Sequence, residues 1–75
     1  MKLHYYADTD SLYIDLADAE SVESVEVRPG VVLDFDDAGQ LVGIDLDHAS
    51  RQVNLATIDI EDLPARITAR ATDAA

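Results

Sequence analysis

The chain has 75 residues, 16 of them Asp or Glu against 5 Lys or Arg, for a formal net charge of -11; this length allows one hydrophobic core and excludes a second. Hydrophobic residues make up 48%, too many for a disordered acidic tail, and the absence of Cys excludes disulfides, thiolate catalysis and Cys-ligated zinc. No apolar run approaches the roughly 20 residues that span a bilayer, and the N-terminus lacks a signal-peptide core, so the expected location is cytoplasmic with no membrane contact.

The first forty-six residues read as β-structure. Leu3-His4-Tyr5-Tyr6 alternates, Asp8-Thr9-Asp10-Ser11 supplies turn-forming side chains, and Leu12, Ile14 and Leu16 then alternate with Tyr13 and Asp15. That pattern predicts a hairpin closed by Asp8 to Ser11. Asp18 to Ser21 is polar and predicts a second connection. Val25 and Val27 alternate with Ser24, Glu26 and Arg28 to give a third strand, and Pro29-Gly30 then marks a bulge, bend or edge, because proline donates no ladder hydrogen bond. Val31 to Phe35 is a fourth strand. Asp36-Asp37-Ala38-Gly39 reads as a tight hairpin in which Gly39 takes positive φ, and Leu41 to Leu46 returns as a fifth.

Beyond Leu46 the periodicity weakens. Asp47-His48-Ala49-Ser50 predicts the cap of a short helix running to about Val53, and Thr57 to Glu61 alternates like one more short strand. Asp62-Leu63-Pro64 predicts the start of a C-terminal helix that places Leu63 and Ile67 on one face. The expected fold is α+β, an antiparallel β-meander of four to five strands with two helices. It forms one domain over 1–70, followed by a frayed tail over 71–75.

The two sheet faces differ. Leu3, Tyr5, Leu12, Ile14, Leu16, Val25, Val27, Val42, Ile44 and Leu46 collect on one and make the expected core. The other carries Tyr13, Val32 and Leu41 among Asp15, Glu26, Arg28, Asp34 and Asp45. If the helices cover the first face, Tyr13, Val32 and Leu41 form a modest apolar patch suited to a second subunit, and the expected assembly is a homodimer.

The blocks Asp8-Thr9-Asp10-Ser11-Leu12-Tyr13-Ile14-Asp15-Leu16, Val27-Arg28-Pro29-Gly30-Val31-Val32-Leu33-Asp34, Gly39-Gln40-Leu41-Val42-Gly43-Ile44-Asp45 and Ala49-Ser50 form an ordered series. The series resembles the small prokaryotic domain-of-unknown-function family numbered 2283, over about residues 3 to 53. Two departures stand out: Tyr6-Ala7 occupies the place where the family has Tyr-Asp, and the tail after Val53 falls outside the matched blocks. The resemblance implies a β-meander followed by helix, with no established activity or catalytic residue. Some relatives are thought to be encoded beside small toxin candidates, so it also points to an antitoxin-like role.

Acidity of this density repels phosphate backbones, and Lys2, Arg28, Arg51, Arg66 and Arg70 form no basic stripe, so direct nucleic-acid binding is not expected. A basic protein partner fits the charge instead. The bias of 12 Asp to 4 Glu with a single Lys also resembles proteins of salt-loving organisms, in which screening relieves self-repulsion.

One loop invites a metal reading. Counting from Asp34, a calcium loop of the helix-loop-helix kind finds Asp36 at its third position, Gly39 at its sixth and Asp45 at its twelfth. Ala38 at the fifth position, the short Asp at the twelfth and the strand-like flanks argue against it, and a hairpin with Gly39 at positive φ explains the same residues. Weak cation binding by Asp34, Asp36 and Asp45 is the alternative reading. His4 and His48 have no spacing that joins them in a zinc site. The serines lie in turns or caps without a nucleophile context, and no glycine-rich phosphate loop occurs, so neither catalysis nor a cofactor is expected. What remains is a small acidic interaction module.

Overall fold

A computed structural model describes residues 1–71 of the chain. Lys2–Tyr6 (β1) and Ser11–Asp15 (β2) form an antiparallel hairpin in which Leu3 faces Ile14 and Tyr5 faces Leu12. Glu23–Arg28 (β3), Val31–Phe35 (β4) and Leu41–Leu46 (β5) form a three-stranded meander. The two pieces join through β2 and β5, which gives the sheet order β1-β2-β5-β4-β3. The expected meander is thus a hairpin and a meander sharing a central seam. The polar connection over 17–22 carries the chain from β2 past its neighbour to the far edge. Leu16 N donates to Val42 O at 2.9 Å and Val22 N to Phe35 O at 2.8 Å, so both ends of that crossing are tied to the sheet.

Turn chemistry sets the register. Asp36 Oδ1 accepts from Ala38 N and Gln40 N at 2.9 and 2.8 Å, and Gly39 closes the β4–β5 loop at φ 79°. Pro29 and Gly30 make the two-residue β3–β4 turn, with Gly30 at φ 81°, where an L side chain is strained. A bulge between Glu26 and Arg28 brings Arg28 opposite Val31. Arg28 therefore leaves the polar row in which simple alternation placed it.

Cross-strand partners share a face. Val25, Leu33, Ile44, Ile14 and Leu3 form one apolar row across the sheet, with Val31, Leu46, Leu12 and Tyr5 beside it. Over this second row sits the helix Ala49–Gln52 (α1), whose Ala49 is wholly buried against Leu12 and Leu46. Among the described residues the buried hydrophobic ones are Leu12, Val42, Leu46 and Ala49. Leu3 and Val25, at the two edges of the apolar face, remain 49% and 40% exposed.

The C-terminal helix expected from Asp62 is not formed, and neither is the strand expected over Thr57 to Glu61. Residues 53–71 contain no helix or strand, and every one of them is exposed. Asp62 sits at φ 57°, whereas a capping residue is extended, and the turn that follows closes with Ala65 N on Leu63 O at 2.8 Å. A helix of about two turns is also too short to persist without a packed face. The alternating Thr57 to Glu61 has no sheet edge paired to it, and alternation without a partner makes no ladder. The frayed tail expected from Ala71 lies, from 72 onward, outside the described residues.

Candidate functional site

Three side-chain clasps hold the sheet, and they account for most of the ordered sequence blocks. The first spans the polar face. Tyr13 of β2 donates its hydroxyl to Asp34 Oδ2 of β4 at 2.8 Å, passing over Gly43 of β5, and Ser24 of β3 donates to Asp34 Oδ1 at 2.6 Å. A Cβ at residue 43 would collide with the Tyr13 hydroxyl and ring, so glycine is what lets the tyrosine lie flat across the central strand. The bond to Asp34, with burial and neighbouring carboxylates added, pushes the Tyr13 pKa up to about 12.

The second clasp joins the β1–β2 loop to α1. Asp10, at φ 54°, accepts Ala49 N on its backbone oxygen at 2.8 Å. Its carboxylate accepts Ser50 N at 3.1 Å, Ser50 Oγ at 2.7 Å and the Tyr5 hydroxyl at 2.8 Å. These bonds, from Ser50 first and then Tyr5, hold the Asp10 carboxyl below its ordinary pKa, and Tyr5 is raised in return. The cap of α1 thus comes from 40 residues away, because His48 at its own N-terminus stands at φ 50° and makes no side-chain cap. In the third clasp Gln52 Nε2 donates to Gly30 O at 3.0 Å and to Asp47 O at 2.6 Å, while Asp47 N donates to Gly30 O at 2.8 Å.

The three residues expected as cation ligands have separate surroundings. Asp34 is engaged by Tyr13 and Ser24, and Asp36 by its own turn. Asp45 has a raised pKa from burial first, then from Asp47 and Asp34. Among the described residues no group of three or more His, Cys, Asp or Glu is placed to hold a metal ion. Of the expected subunit patch, Tyr13 and Val32 are brought into one row, both facing Asp45. Leu41 lies past the second bulge, opposite Phe35. His4 is half-buried on the edge strand beside Tyr6, their ring centroids 4.3 Å apart, and His48 is exposed.

The opposite face carries what sequence reasoning missed. Residues 53–71 stand off from the sheet and leave a trough of about 1290 Å³. One wall is Leu3, Tyr5, Leu12, Ile14 and Leu46; the other includes Leu55, Ile58, Ile60, Leu63 and Ile67. Its charged lining is Lys2, Arg66 and Arg70, and among the described residues no Asp or Glu lines it. The available signal was the run of apolar residues after Val53, which periodicity assigned to a strand and a helix of their own. Among the described residues no helix is long and apolar enough to cross a membrane.

Comparison with known proteins agrees with the block pattern. No curated protein and no solved structure matches this chain. A family model described as "Protein of unknown function (DUF2283)" matches residues 2–50, the stretch that holds the five strands and the Asp10–Ser50 clasp. The chain belongs to the DUF2283 family.

Proposed function

We propose that this chain is a protein-interaction module of the cytoplasm that works as a self-associated unit, and not an enzyme. One observation carries the reading: the sheet separates its acidic charge from its apolar surface. Asp15, Asp34, Asp45 and Glu26 share the face that holds the Tyr13 clasp, whereas the opposite face, whose trough has no Asp or Glu in its lining among the described residues, is left half open. A surface with an uncovered apolar layer is what an associating domain presents, and a face dense in carboxylates draws a basic partner and excludes nucleic acid.

In its antitoxin-like form the module masks a basic protein whose gene lies beside its own. The family blocks support such a scaffold role, since their Asp10, Tyr13, Asp34 and Ser50 are occupied in clasps. Co-expression with the basic product of a neighbouring gene tests the reading. A complex that co-purifies and weakens as salt rises is expected. A basic neighbour that forms no complex at low salt, together with a chain that neither self-associates nor binds another protein, would refute it.

A further inference from the structure

We infer that the open apolar face is covered by a second copy of this chain, two sheets packing face to face with both C-terminal segments in the shared apolar layer. This rests on the interaction-module reading and names the partner for one of its surfaces.

The area argument comes first. The chain exposes 6135 Å², whereas a compact monomer of this mass exposes about 4,500 Å². The surplus, about 1,600 Å² per chain or roughly 3,200 Å² per pair, falls in the range of obligate homodimer interfaces. Every residue of 53–71 is exposed. A single sheet buries its apolar face only against another element, and α1, with four residues, covers one end of it. Ile58 at 72% exposed, Ile67 at 61% and Leu63 at 46% line the trough and still leave it open to solvent. The hydrogen bonds of this segment are local, Ala56 N to Asn54 Oδ1 and Ala65 N to Leu63 O, so it can lie across either sheet without breaking a ladder.

Charge selects the second copy. Two chains of net charge -11 meet at least cost where neither presents a carboxylate, and the trough is such a surface among the described residues. Pairing through the other face would oppose Asp15, Asp34, Asp45 and Glu26 to their own copies. An isologous contact through the trough opposes Lys2, Arg66 and Arg70 to their copies instead, and between two chains of net charge -11 a cationic lining repels less than a carboxylate face, with the two C-terminal segments lying between the sheets.

Light scattering of the full chain, at low and at high salt, reads the outcome together with three variants. Twice the 8.1 kDa chain mass is expected at both salts. Leu3→Asp and Ile60→Asp each place a charge on a side chain already 49% or 44% exposed, so both chains still fold by circular dichroism. Each weakens the dimer by roughly a hundred-fold or more in Kd. Leu41→Asp, outside the trough, leaves the dimer intact. A dimer lost in Leu41→Asp and kept in both trough variants overturns the inference while leaving self-association, and with it the module reading, in place. A monomeric wild type at millimolar concentration also overturns it. If that monomer still binds the basic neighbour, the protein-interaction part of the module reading survives without its self-association; if it binds only a fatty-acid probe in the trough, both fail.

Discussion

Residues 2–52 and 53–71 have similar apolar content and opposite fates. In the first stretch, Leu12 and Leu46 are 9% exposed and Ala49 is fully buried; in the second, Ile58 is 72% exposed. The difference is not hydrophobicity. Each strand of the first stretch has a paired neighbour, and the Tyr13–Asp34–Ser24 clasp ties β2, β3 and β4 together across the sheet. The second has alternation and no edge to pair with. Apolar side chains favour burial without specifying against what; hydrogen-bonded partners specify the place.

Hydrogen exchange gives the widest test of that contrast. Amides of β2, β4 and β5 are expected to exchange at least about a thousand-fold more slowly than those of 54–71, which make no ladder. Protection of Thr57 to Glu61 equal to that of β5 would reveal a sixth strand and erase the distinction. Gly43→Ala comes next: the added Cβ displaces Tyr13 and breaks its bond to Asp34, an expected loss of about 2 kcal/mol by urea unfolding. The same substitution at exposed Ala56 or Ala65 positions cannot be made, so Ile58→Ala serves as the counterpart in the open segment; below the dimer Kd it should cost less than about 0.5 kcal/mol.

The clasps also have pH signatures of opposite sign. Tyr13 is neutral in its bond to Asp34, and its folded pKa of about 12 lies above the ordinary 10.0. Its contribution is therefore complete below pH 10.0 and is lost as pH rises toward 12, which tyrosinate absorbance and stability should report together. Asp10 behaves in reverse. Its folded pKa is held below 3.8, so its contribution is present above that value and fades as pH falls through the lowered one. Asp10→Asn should then be less stable than the wild type at neutral pH and equal to it at the acid end; an unchanged difference at low pH would count against a charge-based clasp.

A smaller effect than those of the clasps concerns Asp45, the acid set between Tyr13 and Val32. Burial and its carboxylate neighbours raise its pKa above 3.8, so its ionised form opposes folding and the penalty grows as pH rises through the raised value. Asp45→Asn is expected to raise the melting temperature by about 2–4 °C at neutral pH and low salt. Screening by high salt should shrink that gain. A loss of stability instead would mean that Asp45 is held by a contact that repays its crowding.

Local pattern made much of the first stretch legible. Leu12-Tyr13-Ile14-Asp15 alternates because one face is apolar and the other wet, and Asp36 through Gly39 carries the residues its turn conformation requires. The clasps were not legible, since Tyr13, Asp34 and Gly43 are far apart in sequence and each has an ordinary local explanation as strand or turn. Asp10 looked like a loop acid and proved to be the cap of a helix that starts at Ala49. The misreading of 53–71 has the same origin: Asp62-Leu63-Pro64 has the composition of a helix start, yet Asp62 takes φ 57°.

The amino-acid sequence by itself determined the five strands, the helix after Leu46, the two-faced character of the sheet and the family blocks, because those follow from side-chain periodicity and turn chemistry within a few residues. Only the tertiary structure decided that β2 pairs with β5, that Tyr13 reaches Asp34 across Gly43, that Asp10 caps α1, and that the last described segment stands away from the sheet. Those outcomes depend on which distant groups satisfy one another's hydrogen bonds and which apolar surface finds cover, and no local pattern records that choice.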